Sequence, residues 1–258
     1  MKKRAPIPYK SDPPNPMLLE DMEILENWLN SNRHREEEVG KLIEDLRGGR
    51  KVPDFRFDQM YPPSISNLSQ THWTPVEVAI RAAELLMPNE ETRVLDVGSG
   101  CGKFCTVAAL SGPGRFVGIE QRPHLFAAAK KAAEELGANQ ASFILGNMAD
   151  LDWSSFDAFY LYNPFGENWK RSMRIDATVS LDKDKFARYV EIVRTKLEVA
   201  KDGTRVATYH GFGGEIPLGY KLAKKEPIGT DFLELWIRSS TAHPRRPYHS
   251  GGSELFRR

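Results

Sequence analysis

The chain has 258 residues, 40% of them hydrophobic and 28% charged, and a formal net charge of +1. This is a globular composition, long enough to bury a full core for a single catalytic domain. It excludes the strongly basic footprint of a tight duplex binder and the long apolar runs of a membrane-spanning chain.

At the start, Met1-Lys2-Lys3-Arg4 leads into Pro-rich polar sequence rather than an apolar signal core, so a cytoplasmic protein with no membrane partner is expected. Residues 1–16 read as a flexible tail. Met17 to Leu29 places Leu18, Met22, Leu25 and Leu29 at helical spacing, and Arg35 to Leu46 repeats the pattern with Val39, Leu42, Ile43 and Leu46. Residues 17–70 therefore form a helical N-terminal extension whose apolar stripes either pack on the core or offer a lid or a homodimer surface. Gly48-Gly49 ends the second helix, and the segment through Tyr61-Pro62-Pro63 reads as extended. Thr71-His72-Trp73-Thr74-Pro75 then enters a helix over Val76 to Met87, with Thr74 as its cap and Pro75 at its first position.

Arg93 to Val97 reads as a buried parallel strand, and it delivers Asp96 and the alternating Gly98-Ser99-Gly100-Cys101-Gly102 to a sharp turn before a helix. The spacing is not that of the dinucleotide fingerprint G-x-G-x-x-G. Asp96 at a strand end repels phosphate and suits a positive group, so the ligand should carry an ammonium or sulfonium, and S-adenosylmethionine carries both. A phosphate-binding loop, G-x-x-x-x-G-K-[ST], is approached by Gly98, Gly102 and Lys103, but the glycine interval is one residue short and Phe104 replaces the magnesium-binding hydroxyl. Cys101 and Cys105 lie too close together for a disulfide framework and are too sparse for zinc, so no metal is expected. Both read as packing residues, with the Cys101 thiol placed to line the cavity and be open to alkylation.

Arg115 to Glu120 reads as a second strand ending in an acid about twenty residues beyond the glycines, where a carboxylate accepts ribose hydroxyls. Pro123 to Leu136 is helical by composition, and Ala141 to Leu145 is a third strand delivering Gly146-Asn147-Met148, with Asp150 close behind. Phe156 to Phe165 is the fourth strand, ending in Tyr162-Asn163-Pro164-Phe165. Glu167 to Asp182 lacks periodicity and carries Lys170, Arg171 and Arg174, a basic loop over the site that suits an anionic acceptor or is solvated surface. Lys183 to Ala200 is a long helix, Thr204 to Tyr209 a fifth strand, and Tyr220 to Ile228 with Asp231 to Arg238 a hairpin around Gly229-Thr230. Residues 241–258 read as a second flexible tail.

Over Thr71 to Arg238 this order of elements, with the Asp96 to Gly102 motif, resembles the class I S-adenosylmethionine-dependent methyltransferases. The resemblance implies a methyltransferase domain over residues 71–240: an α/β Rossmann-like fold, a mixed seven-stranded sheet with its last strand antiparallel, and helices on both faces. It implies S-adenosylmethionine as cofactor, held by Asp96, Gly98, Ser99, Gly100, Glu120, Gln121, Asn147, Met148 and Asn163, with adenine at the Asn147-Met148 turn and Thr74 near the cofactor carboxylate. Trp73 would shape the acceptor cavity. Asn163, Pro164 and Phe165 resemble, in shortened form, the Asn-Pro-Pro-aromatic turn of amino-methylating branches, where Asn and a Pro carbonyl hold the target nitrogen and the aromatic ring stacks on a flat substrate. Tyr162 to Phe165 and Thr74 also echo the Dot1-type lysine methyltransferases. The implied catalytic group is Tyr162, Asn163, Pro164 and Phe165, with Glu167, Tyr209 and His210 as candidate proton acceptors. The acceptor is expected to be a nitrogen of a protein side chain or small molecule. The alternatives are nucleic-acid adenine and a non-catalytic scaffold that binds the cofactor.

Overall fold

A computed structural model of the chain describes residues 35–169 and 173–239. The helix read over Met17 to Leu29, both tails, Lys170 and Arg171 lie outside the described residues. The chain divides into two compact units, 1–41 and 42–258; residues 35–41 of the first are helical. They belong to a helix, α1, running over 35–47.

The segment read as extended, through Tyr61-Pro62-Pro63, instead contains the short helix α2 (Asp54–Asp58), and two more short helices, α3 (Pro63–Ser66) and α4 (Ser69–His72), follow it. Pro62 and Pro63 are the reason in part, because Pro63 takes the first helical position, where its missing N–H costs nothing. Helix α5 (Val76–Leu86) follows. Its cap is not Thr74: the amide of Val76 donates to Asp54 Oδ1 at 2.8 Å, and Thr74 Oγ1 lies 3.2 Å from Tyr160 Oη.

The remaining elements are β1 (Arg93–Val97), α6 (Lys103–Ser111), β2 (Arg115–Glu120), α7 (Pro123–Glu135), β3 (Ala141–Leu145), β4 (Ala158–Tyr162), α8 (Gly166–Trp169), α9 (Lys183–Glu198), β5 (Arg205–Tyr209), β6 (Tyr220–Ile228) and β7 (Asp231–Arg238). Their seven strands form one sheet in the order β3-β2-β1-β4-β5-β7-β6, with β7 antiparallel to both its neighbours and the pairs from β3 to β5 parallel. The β6–β7 register slips between Leu222 and Lys224, leaving Ala223 as a bulge.

Strand alternation sorts the core onto two faces. Leu95, Val97, Val117, Ile119, Phe159, Leu161 and Val206 pack with Val193 and Leu197 of α9. On the opposite face Tyr160 stacks on Phe104 of α6, with ring centroids 4.0 Å apart. β4 stops at Tyr162 rather than reaching Phe165, because Asn163 turns to φ 40° and the chain leaves the sheet.

At the first turn of α6 the Lys103 side chain is 1% exposed. Its Nζ donates to Asp54 Oδ1 and Asp58 Oδ1 at 2.7 Å each and to Ser69 Oγ at 3.1 Å. The lysine that invited comparison with a phosphate loop is thus sealed by carboxylates, and the phosphate reading fails on charge as well as on spacing. Replacing Lys103 with Met leaves the buried Asp58 carboxylate without its counter-charge. The expected loss is about 3 kcal/mol or more, read as a drop in Tm of about 6–12 °C for a domain of this size.

Candidate functional site

The carboxyl ends of β1, β2, β3 and β4 open into one cavity of about 560 Å3, within the roughly 300–1,000 Å3 typical of small-molecule sites. Gly98, Gly100, Glu120, Gln121, Asn147, Met148, Tyr162, Asn163, Pro164 and Phe165, all singled out in the sequence, line it together. Thr74, Asp96 and Ser99 do not. They line a second pocket of about 20 Å3 that shares His72, Trp73, Gly98 and Tyr162 with the first. Asp150 is exposed and outside both.

The glycine loop is shaped by what it must pass. Gly100 has φ 54°, and a Cβ there would lie 2.5 Å from the Trp73 ring. Trp73 is fixed in turn by its indole N–H, which donates to the Ile65 carbonyl at 2.8 Å. Cys101 is fully buried and absent from both cavity walls, so the expectation of an accessible thiol is overturned; burial pushes its pKa up to about 12. Asp96 is 4% exposed beneath the loop, where the Cys105 thiol lies 3.7 Å from its Oδ2. Burial raises Asp96 to about 8, the Cys105 hydrogen bond opposing and the nearby Glu120 carboxylate adding to the rise.

Glu120 sits at the end of β2 with Oε2 accepting from the Gly100 amide at 3.1 Å and Oε1 from the Arg122 amide at 2.8 Å. Each oxygen keeps a further lone pair for a ligand hydroxyl. Arg122, which the sequence did not flag, is 3% exposed and lines the cavity. It donates to Glu167 Oε2 at 2.9 Å and Asp176 Oδ1 at 3.3 Å, and so ties α8 and the segment after it to β2. Asn147 uses both ends of its amide within the protein: Oδ1 accepts from the Ala149 amide at 3.0 Å and Nδ2 donates to Tyr189 Oη at 2.8 Å. One N–H remains for a ligand, and Met148, 6% exposed, supplies the apolar wall.

Phe165 departs from its sequence-based role. It is 5% exposed, belongs to the core under α9 and lies against the Tyr189 ring at 5.3 Å, so it walls the cavity from below rather than standing free as a stacking platform. Asn163 is placed differently. Its backbone amide donates to the Gly211 carbonyl at 2.8 Å, its side-chain amide has no hydrogen-bond partner among the described residues, and it lines the cavity. Gly166 makes this possible, because a Cβ there would lie 2.6 Å from Asn163 Nδ2. Tyr162, raised to about 12 chiefly by burial, keeps its phenolic proton, and burial lowers His72 so that its imidazole is neutral at pH 7.

The three candidate proton acceptors separate. Glu167 is held by Arg122 and by the Ile175 amide at 2.8 Å. The Tyr209 hydroxyl donates to the Ile228 carbonyl at 2.9 Å and accepts from the Thr230 amide at 3.2 Å, and it lies outside the cavity wall. His210 lines the cavity, with Nδ1 2.5 Å from Oδ2 of Asp231, a residue sequence reasoning passed over as the first of a strand. Arg174, read either as greeting an anionic acceptor or as solvated surface, donates to the Asp176 carbonyl at 2.6 Å at an exposed position. No group of three or more His, Cys, Asp or Glu among the described residues is arranged for a metal. No helix among them is long and apolar enough to cross a membrane.

Sheet order, glycine loop, ribose-ready carboxylate and a cavity across four strand ends define a class I methyltransferase fold. Residues 88–205 match the family model of a methyltransferase domain. An RNA methyltransferase from Salinibacter ruber, solved with S-adenosyl-L-homocysteine, is similar at 24% identity and a TM-score of 0.51, over 67% of this chain and 97% of that one. TrmN from Thermus thermophilus is similar at 18% identity and a TM-score of 0.51, over 68% of this chain and 52% of that one. At these identities the likeness is one of fold. No curated protein is similar enough in sequence to count as a relative. The chain carries the class I methyltransferase fold, the fold of proteins that use S-adenosylmethionine, and within it residues 88–205 are similar to a methyltransferase domain.

The residues present fit that cofactor. Besides the open lone pairs of Glu120, among the described residues the Ser99 hydroxyl is buried in the loop without a hydrogen-bond partner, and the buried Asp96 carboxylate has no ion-pair partner. The raised Asp96 has a thermodynamic consequence. Its folded pKa lies above its unfolded value, so its contribution to stability is present below about pH 4 and is lost as pH rises through about 8. Asp96→Asn should therefore stabilise the unliganded protein increasingly from pH 5 to pH 8.5, and a gain of ~2 kcal/mol would raise Tm by about 4–8 °C at the upper end. Calorimetric scans at the two pH values test this.

Proposed function

We propose that the chain transfers the methyl group of S-adenosylmethionine to a nitrogen of a protein side chain or small molecule, with Asn163 aiming the nitrogen. The observation that carries this is backbone strain. Among the described residues the non-glycine positions with positive φ are Asn163 at 40° and His210 at 58°, and the Asn163–Gly211 hydrogen bond brings the two together on the cavity wall. Strained non-glycine conformations cost about 1–3 kcal/mol each and persist where the surrounding structure enforces them, most often at functional sites. Here the turn at Asn163 points a free amide into the cavity, and the turn at His210 does the same for an imidazole.

In this reading Asp96, Ser99, Gly98, Gly100 and Glu120 hold the cofactor's polar ends, and Met148 with the Asn147 backbone holds its purine. The cofactor supplies a methyl group on a positively charged sulfur. The chain's own residues supply placement. Asn163 Oδ1 and the Pro164 carbonyl accept hydrogen bonds from the acceptor N–H groups and so fix the direction of the nitrogen lone pair. Trp73, Tyr162 and Phe165 exclude water, and most of the rate arises from this orientation. The buried position of Phe165 favours an acceptor that needs no stacking platform, which speaks against a nucleobase. RNA is what the Salinibacter ruber protein's name attaches to that protein.

Calorimetric titration with S-adenosyl-L-homocysteine tests the cofactor half, and Glu120→Gln should weaken binding by about tenfold, the loss of roughly 1.4 kcal/mol. Asn163→Gly, which relieves the positive φ, should keep affinity within about threefold while methyl transfer falls by about 100-fold. A scaffold without turnover would show binding and no transfer to lose.

A further inference from the structure

We propose that His210 and Asp231 form a general-base pair that deprotonates an acceptor arriving as an ammonium ion, an assignment that rests on the amine-directed reading above. Of the three side chains able to take a proton near Asn163, Glu167 is committed to Arg122 and the Ile175 amide, and Tyr209 to the β6–β7 turn. That second commitment is constructive. By gripping Ile228 and Thr230, the Tyr209 hydroxyl fixes the turn that delivers Asp231, the next residue, to His210 Nδ1 at 2.5 Å. A carboxylate on Nδ1 selects the tautomer with its proton there and leaves Nε2 as the basic nitrogen.

The ring is held as well as polarised. Its centroid lies 4.4 Å from that of Tyr209 and 5.6 Å from that of Tyr162, so the titratable groups facing it are Asp231 from β7, Tyr162 from β4 and Tyr209 from β5. The backbone at φ 58° is strained, and the Asn163–Gly211 bond places the imidazole's own loop beside the nitrogen-aiming amide. Charge selects the acceptor. Among the described residues the cavity wall carries Glu120, Glu167 and Asp231 against the one cation Arg122, which is itself paired with Glu167 and Asp176. Such a wall attracts an ammonium. An ammonium cannot be methylated until it loses a proton, so a base at this position supplies what the acceptor lacks.

The step balances. The acceptor N–H proton passes to His210 Nε2, and the freed lone pair forms the N–C bond to the methyl carbon. The C–S bond breaks with its electrons going to sulfur, and the imidazolium, stabilised by Asp231, returns its proton to water.

The test uses the full chain with radiolabelled S-adenosylmethionine, a pool of lysine-containing peptides and a pool of oligoribonucleotides, from pH 6 to 9.5. S-adenosyl-L-homocysteine binding and the 15N imidazole spectrum of the unliganded protein are measured in parallel. The expected result is transfer to the peptides, an imidazole protonated at Nδ1 and bare at Nε2, and a rate that falls toward acid pH. His210→Gln should lower kcat by about 100-fold and leave a rate that rises with pH only as the acceptor ammonium loses its proton to solvent; Asp231→Asn should lower kcat by about tenfold. Both should bind S-adenosyl-L-homocysteine within about threefold of the parent. His210→Gly, which suits the backbone, should regain activity with added imidazole. Peptide transfer unaffected by His210→Gln, a proton on Nε2 rather than Nδ1, transfer to the oligoribonucleotides alone, or cofactor binding with transfer to neither pool would each overturn the assignment. Loss of S-adenosyl-L-homocysteine binding in the parent protein would instead sink the methyltransferase reading itself.

Discussion

The Lys103 ammonium is withdrawn from water at the first turn of α6, and Asp54, Asp58 and Ser69 replace the hydration it gives up. Those partners come from α2, its end, and α4, so the pair of charges fastens the short helices to the far side of the glycine loop. Asp54 does double service, because its Oδ1 also caps α5 at Val76. Trp73 follows α4 directly, and its ring closes over Gly100. The wall of the cofactor cavity on that side thus hangs from one buried cation. A buried ion pair adds little net stability relative to an apolar packing of the same volume, but it strongly penalises any arrangement in which one partner is missing. Its value here is register: only one docking of the helical segment satisfies the ammonium.

On the opposite side the cavity is closed by a similar device in which the cation belongs to β2's exit. Arg122 gathers Glu167 and Asp176 from the segment after β4 and lies 3.9 Å from Glu120. The floor between the two clamps is built from parallel strands in register: Val97 ends β1 level with Ile119, Glu120 ends β2 level with Leu145, and Tyr162 ends β4 one residue beyond the level of Val97, so the four strands end within one residue of a common edge. That common edge is where an open parallel sheet places ligands, because the strand carboxyl ends diverge there to helices on alternate faces.

The parallel core was legible in the sequence because each strand is short, apolar and bounded by a glycine or a charged residue. The bounds read for Arg93–Val97, Arg115–Glu120, Ala141–Leu145 and the terminal hairpin are those of the structure. Less legible were features fixed by partners distant in sequence. The extended reading of the segment before Tyr61 failed because α2 is held through Lys103, more than forty residues on, and no local periodicity announces that. Thr74 looked like a helix cap, yet Asp54 supplies the cap across the fold. Arg122 and Asp231 escaped for the same reason: each lies at the edge of an element, and its meaning comes from a carboxylate or an imidazole brought up from elsewhere. Phe165 was recognisable as part of the Asn-Pro-aromatic turn, while its depth was set by Tyr189 of α9.

The bulge at Ala223 lies in β6, the strand that ends the sheet on the side away from β3. An unpaired edge strand is an invitation to another strand, yet this one is poorly suited to accept it. Ala223 breaks the run of evenly spaced amides, Pro227 has no amide to offer, and Lys221, Lys224 and Lys225 set positive charge along the exposed rim. A second molecule approaching edge to edge would meet like charges and an interrupted ladder. The sheet therefore terminates by its own chemistry at β6, which directs any self-association of this chain to surfaces other than a continuous intermolecular sheet through that edge.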